Sequence, residues 1–189
     1  MGKIIVNQFV TLDGIVEDPD GSGGTPGGGW AFRSGPEGVA GDKFKLGPML
    51  DTGALLLGRS TWELFSHLWP NRSDEFARAM NRMQKVVVSR SAPDLGAWSN
   101  SSLLENDLEA GAARLARERD VLVVGSTSVV HALTAAGLVD EYRLLVFPTV
   151  VGVGGKLFVE PLDLELASVE ASGPAVLVSY RPTKPGARA

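Results

Sequence analysis

Apolar residues in this chain come in short runs, each stopped by a turn rich in glycine, serine or arginine. Residues 3–12 predict a first strand, with Asp13-Gly14 as the turn that ends it. Runs at 53–58, 85–89 and 121–125 predict three more strands. They are continuous rather than alternating, which is the pattern of strands covered on both faces in a parallel sheet. Between them, residues 60–67, 74–83 and 107–118 read as helices, the last with Asp107 as N-cap. Residues 127–136 predict a further helix, closed by Gly137 at the position of a C-terminal cap. Residues 37–50 predict a helix with Val39, Phe44 and Leu46 as its apolar positions, against the poor helix propensity of Gly41 and Gly47.

The pattern then changes. A long strand is expected over 142–151, followed by strands at 157–159, 164–171 and 175–181 joined by short turns. Repeated strand–helix units predict a mostly parallel sheet, and the late run of strands adds antiparallel edges. The expected class is therefore α/β, with one domain over 1–182 and a polar, disordered tail over 183–189. Residues 17–29 are a loop rich in Gly, Asp, Pro and Ser, long enough to be mobile or to serve as a lid.

Composition narrows the function. The length of 189 residues suits one domain with a full core. A net charge of −4 argues against a nucleic-acid partner, which usually meets a basic patch. With no cysteine, disulfides, thiolate metal sites and a cysteine nucleophile are excluded. No apolar run approaches the roughly 20 residues that span a membrane, and the N-terminus turns polar at Asn7, too early for a signal-peptide core. A cytoplasmic protein without membrane contacts is expected.

Three strand ends carry the same chemistry. The first is Gly58-Arg59-Ser60-Thr61, where glycine permits a close backbone approach and an arginine stands beside a helix start. The second is Ser89-Arg90-Ser91, and the third is Gly125-Ser126-Thr127-Ser128. In open α/β sheets, ligands bind beyond the carboxyl ends of strands. Each turn alone is more often simple helix capping. Together they suit a ligand with several phosphates, one of which could meet an arginine fork. Neither a complete Gly-x-Gly-x-x-Gly nor a Walker loop is present, which disfavours standard Rossmann and P-loop proteins.

In order along the chain, these motifs resemble the dihydrofolate reductase-like superfamily, including the reductase domain of bacterial riboflavin biosynthesis. The resemblance rests on Val10-Thr11-Leu12-Asp13-Gly14, the Trp30 loop, Gly58 to Glu63, Val88 to Ser91 and Val124-Gly125-Ser126. It continues through Gly137 to Tyr142, then Pro148, Gly152, Gly154-Gly155 and Leu157-Phe158. It implies a three-layer fold and an NADPH-dependent reductase, nearest to the bacterial branch of that superfamily. By resemblance, Arg59 meets the cofactor 2′-phosphate, and Ser60 and Thr61 the pyrophosphate. Ser89, Arg90 and Ser91 match the adenosine end, and Gly125 to Val129 the glycine turn and helix start at the pyrophosphate. Family members often dimerise through the late strands, so a homodimer is expected.

The same resemblance places the first strand under nicotinamide and a small heterocyclic substrate, with Gln8, Phe9, Val16 and Trp30 as candidate contacts. Alternation allows only one of Asn7 and Gln8 on a given face. Trp30 could equally pack locally as an exposed loop aromatic. Asp42, with Glu37 second, is the candidate proton donor, since a general acid must lie near the reacting atom. His67 and His131 sit in unrelated motifs, and no metal site is expected. No Gly-x-Ser-x-Gly elbow is present for a hydrolase. Asp140-Glu141 reads as the start of the next strand, in a solvated turn, and Gly152 to Gly155 as a bulge or turn. The rival readings are a pyrimidine reductase of riboflavin synthesis and a nucleotide-binding protein without catalysis.

Overall fold

The computed structural model describes residues 1–91, 93–105 and 107–183. In chain order the regular elements are β1 (Ile4–Thr11), α1 (Met49–Thr52), β2 (Ala54–Gly58), α2 (Arg59–Leu68) and α3 (Glu75–Arg82). Then come β3 (Gln84–Val88), β4 (Ser101–Leu103), α4 (Leu108–Glu118), β5 (Val121–Val124) and α5 (Thr127–Ala135). The chain closes with β6 (Glu141–Phe147), β7 (Leu164–Ser172) and β8 (Ala175–Pro182). All strands join one sheet in the order β4-β3-β2-β5-β1-β6-β8-β7. The first six in that order run parallel, while β8 and β7 add an antiparallel edge.

Both faces of the sheet are covered, which explains the apolar runs. β1 sends Ile4, Val6 and Val10 into one cluster with α4 and α5 (Ala112, Val129, Val130, Leu133). It sends Ile5 and Phe9 to the other face, among Trp62 of α2, Met80 of α3 and the Trp30–Leu46 segment. The result is the expected three layers, an α/β fold with a mostly parallel sheet. Helix ends follow their local signals. Asp107 caps α4 by accepting from Ala110 N–H at 2.8 Å, and Asp74 does the same for α3 through Ala77 N–H. Past α5, Gly137 takes a φ of 65°, with Gly137 N–H donating to Thr134 and Leu138 N–H to Leu133. Those two bonds satisfy the helix's last carbonyls.

Several expectations are corrected. Residues 37–50 do not form a helix: a 3-10 turn at Pro36–Gly38 gives way to turns, and only the single-turn α1 follows. Positive φ angles at Gly41, Lys45 and Gly47 break the helical path. The strand expected over 142–151 stops at Phe147, because Pro148 has no N–H to continue the ladder and Thr149 N–H turns back to Phe147. Residues 157–159 contain no strand; Lys156 makes one bridge to Ile15, and Leu157 is buried by packing instead. Glu141 is not in a solvated turn: it is 5% exposed, paired with Arg143 at 2.7 Å. The short β4 escaped notice because its Ser-Ser-Leu carries no apolar run. Of the tail, Thr183 bonds Asp163, and residues 184–189 lie outside the described residues.

Candidate functional site

β3, β2 and β5 are neighbours in the sheet, so their carboxyl-end turns fall side by side. The chain leaves β2 through α2 on one face and β5 through α5 on the other. A crevice opens where such connections diverge. Here it is a cleft of about 540 Å³, into which Gly58, Arg59 and Ser60 project from the β2 end. Ser89, Arg90 and Ser91 line it from the β3 end, and Ser128 and Val129 from the first turn of α5. Two of the three turns singled out in the sequence thus form one wall, and the third contributes its helix start.

The cleft has the electrostatics of an anion site. Neither α2 nor α5 has a side-chain cap, in contrast to α3 and α4, so both offer uncapped N-termini. Such ends carry partial positive charge and free donors. Two arginines add to it. Arg59 Nη1 donates to Ser91 Oγ at 2.7 Å, tying the β2 turn to the β3 turn. Its Nε donates to Glu63 Oε1 at 2.7 Å, one helical turn along. Val88, Leu104 and Leu108 supply an apolar wall, of which the sequence reading missed Leu104 and Leu108. Nothing local marks those two, since they come from a loop and a helix start.

Three of the expected cofactor residues, Thr61, Gly125 and Ser126, join the β5 turn to the elements beside it. Thr61, Gly125, Ser126 and Thr127 are not among the residues lining the cleft. Ser126 accepts Gly58 N–H on its hydroxyl at 2.8 Å, and its own N–H donates to Thr61 Oγ1 at 3.0 Å. These bonds clamp the β5 turn to the start of α2. Gly125 is needed twice over: its φ is 62°, and an added Cβ would stand 2.9 Å from Thr61 Cγ2.

The candidate substrate residues are not gathered in that cleft. Gln8 is 4% exposed and donates its amide to the Gly125 carbonyl, linking β1 to the β5 turn. Phe9 stacks on Phe44 with centroids 5.4 Å apart and meets Phe147 edge-on. Val16 is buried with Val10, Leu144 and Leu157 on the opposite face from Phe9. Trp30, read as an exposed loop aromatic, is 1% exposed and packs edge-on to Phe147, its Nε1 donating to Glu17 O. Asp42 sits in the turn that replaced the expected helix. Its two oxygens accept Leu46 and Gly47 N–H at 2.8 and 2.9 Å, which holds that turn. Glu37 lies in the 3-10 turn before it.

The 17–29 loop is internally bonded around Asp18. That carboxylate accepts Gly23 N–H, Thr25 N–H and the Thr25 hydroxyl at 2.8 to 3.0 Å. Burial alone would raise the Asp18 carboxyl, but these bonds outweigh it and leave it below the usual carboxylate range. Asn7, on the Phe9 face of β1, is fully buried, and its Oδ1 has no partner among the described residues.

Comparison with known proteins matches this geometry to a family. The model of the RibD C-terminal domain matches residues 2–178. The uncharacterized protein YyaP of Bacillus subtilis (strain 168) is 26% identical over 166 residues, 84% of this chain and 81% of YyaP. Among solved structures, a Shewanella sp. PV-4 protein named for riboflavin biosynthesis superposes with a TM-score of 0.72. It is 20% identical and is matched over 96% of this chain and 99% of its own. The diaminohydroxyphosphoribosylaminopyrimidine deaminase/5-amino-6-(5-phosphoribosylamino)uracil reductase of Thermotoga maritima gives a TM-score of 0.61 at 18% identity. There the match takes 96% of this chain but 57% of the Thermotoga one, so this chain spans little more than half of that protein. At these identities the structural matches establish a shared fold. With a family model matched from residue 2 to 178, the chain belongs to the RibD C-terminal domain family and has its dihydrofolate reductase-like fold.

Proposed function

We propose that this protein is an NADPH-dependent reductase acting on a small heterocyclic substrate of pteridine- or pyrimidine-like shape. The carrying observation is Arg59, held by Ser91 at the mouth of a cleft with two uncapped helix N-termini. A dinucleotide phosphate fits this donor set. Arg59 and Ser91 would take the 2′-phosphate, Ser60 and Ser128 the pyrophosphate, and Val88, Leu104 and Leu108 would flank the adenine. When bound, the cofactor supplies the hydride, and the protein's share is binding and orientation. Gln8, by fixing the Gly125 carbonyl, would hold the β5 turn in place beneath the pyrophosphate.

Relatives named as uracil reductase or for riboflavin biosynthesis support a pyrimidine intermediate as one form of the substrate. A second reading is a nucleotide-binding protein without catalysis. Asp42 favours it, because both its oxygens are engaged by backbone N–H groups of its own turn.

Tryptophan fluorescence tests the cofactor assignment, with Trp62 on the helix that begins at Arg59. NADPH should bind more tightly than NADH, and Arg59→Ala should remove most of that preference. A lost charge-assisted hydrogen bond is worth about 1.5–3 kcal/mol, so the change is about tenfold to a hundredfold. Equal affinity for both cofactors in the wild type defeats the Arg59 assignment. NADPH oxidation with dihydrofolate and pyrimidine substrates then separates reductase from binder.

A further inference from the structure

The placement of Arg59 is poor for helix stability. It is the first residue of α2, where the helix dipole is positive and a cation is disfavoured. Glu63 follows one turn later, the reverse of the better order in which the acid precedes the base. A helix built only to be stable would exchange them. The Arg59–Glu63 pair is also half-exposed, at 51% and 43% of the side chains, and pairs of that kind hold weakly. Arg59 Nη1 donates to Ser91 and Nε to Glu63. Among the described residues Arg59 has no further partner, and Nη2, with the remaining N–H of Nη1, forms the guanidinium edge that can meet a ligand.

We propose that Glu63 is a resting counter-ion that sets which anions the cleft accepts. Its carboxylate neutralises Arg59 until a phosphate monoester dianion takes over the guanidinium. Displacing Glu63 from Arg59 costs the same for any anion, whereas a dianion gains about twice the attraction to the freed guanidinium that a singly charged phosphodiester does. Glu63 thereby tunes selectivity for ligands with a terminal phosphate and weakens their hold enough to permit release. The identity of the dianion as the 2′-phosphate of NADPH rests on the function proposed above; the charge balance at Arg59 does not.

Glu63→Gln keeps an amide oxygen that can accept from Arg59 and removes the charge. The variant should bind NADPH about 1.5-fold to fivefold more tightly than wild type, the worth of one half-exposed ion pair, with NADH affinity unchanged. In Arg59→Ala, adding Glu63→Gln should change nothing, because Glu63 acts through Arg59. Weaker NADPH binding by Glu63→Gln would show that the carboxylate only aims Arg59 and would overturn the proposal. So would unchanged binding, or a gain that persists without Arg59. Inorganic phosphate, titrated into the same proteins at fixed ionic strength, separates this from the cofactor assignment. Tighter phosphate binding by Glu63→Gln alone upholds the counter-ion even if NADPH shows no preference over NADH. No phosphate response in any variant overturns it.

Discussion

The hydroxyl of Ser126 accepts the Gly58 N–H at 2.8 Å, joining two turns that lie 68 positions apart in the chain. Ser126 is held in the left-handed region, φ 54° and ψ 53°, where a residue other than glycine is strained. The strain and the bond belong together, since the serine contributes the acceptor that locks the cleft floor. Ser126→Ala should lose the bond, keep the strain and cost about 1–2 kcal/mol in chemical denaturation. Ser126→Gly loses the same bond but relieves the backbone by about 1–2 kcal/mol, and should denature near the wild-type midpoint. If both variants lose the same stability, the strain is not there.

Lys85, on β3, is fully buried, its Nζ donating to the Met80 and Asn81 carbonyls at 3.2 and 2.7 Å and lying 4.4 Å from the Trp98 ring centroid. Burial pushes its pKa down from 10.5 to about 8. Between those values the unfolded chain holds a proton that the folded one releases. The penalty for burying this charge is therefore complete below pH 8 and is relieved as pH rises toward 10.5. Lys85→Met should abolish that relief. Urea midpoints of the two proteins, compared from below pH 8 up to 10.5, should diverge in favour of the wild type. A constant difference across the window would contradict it.

Asp13 ties the end of β1 to the loop after β6. Its carboxylate accepts the Thr11 hydroxyl at 2.6 Å and Gly152 N–H at 2.7 Å, with Val151 N–H at 3.3 Å. The Thr11 bond, then the Gly152 bond, pull its pKa from 3.8 down to about 2. A depressed carboxylate stabilises the fold above its unfolded value and loses that contribution as pH falls through the folded one. Asp13→Asn should therefore melt below wild type above pH 3.8, and the two curves should converge by about pH 2. Curves that stay parallel to the acid limit would show that the carboxylate charge contributes nothing.

Asp18 organises the 17–29 loop through bonds from Gly23 N–H, Thr25 N–H and the Thr25 hydroxyl. Asp18→Ala should leave global melting nearly unchanged, because the loop adds little to either core cluster. Cleavage within 19–29 by a broad-specificity protease should instead become several-fold faster, on the order of the lost local bonds. Equal cleavage rates would mean that Trp30 and the backbone bonds hold the loop alone.

The strands around the cleft, the caps at Asp107 and Gly137, and the strand-end turns at Gly58, Ser89 and Gly125 were legible in the sequence. Each is carried by adjacent residues, and a strand running into glycine, arginine and hydroxyls needs no distant partner to be read. What Thr61 and Ser126 do was not legible, because their bonds reach 65 and 68 positions along the chain. The 37–50 segment misled for the converse reason: its apolar positions are real, and Phe44 and Leu46 are buried, but positive φ angles and the Asp42 carboxylate favour turns over a helix. Local order in the chain set the strands, the caps and the make-up of the strand-end turns. Only the sheet order, which places β2 between β3 and β5, decided that those turns share one cleft, and that Arg59 stands between Ser91 and Glu63.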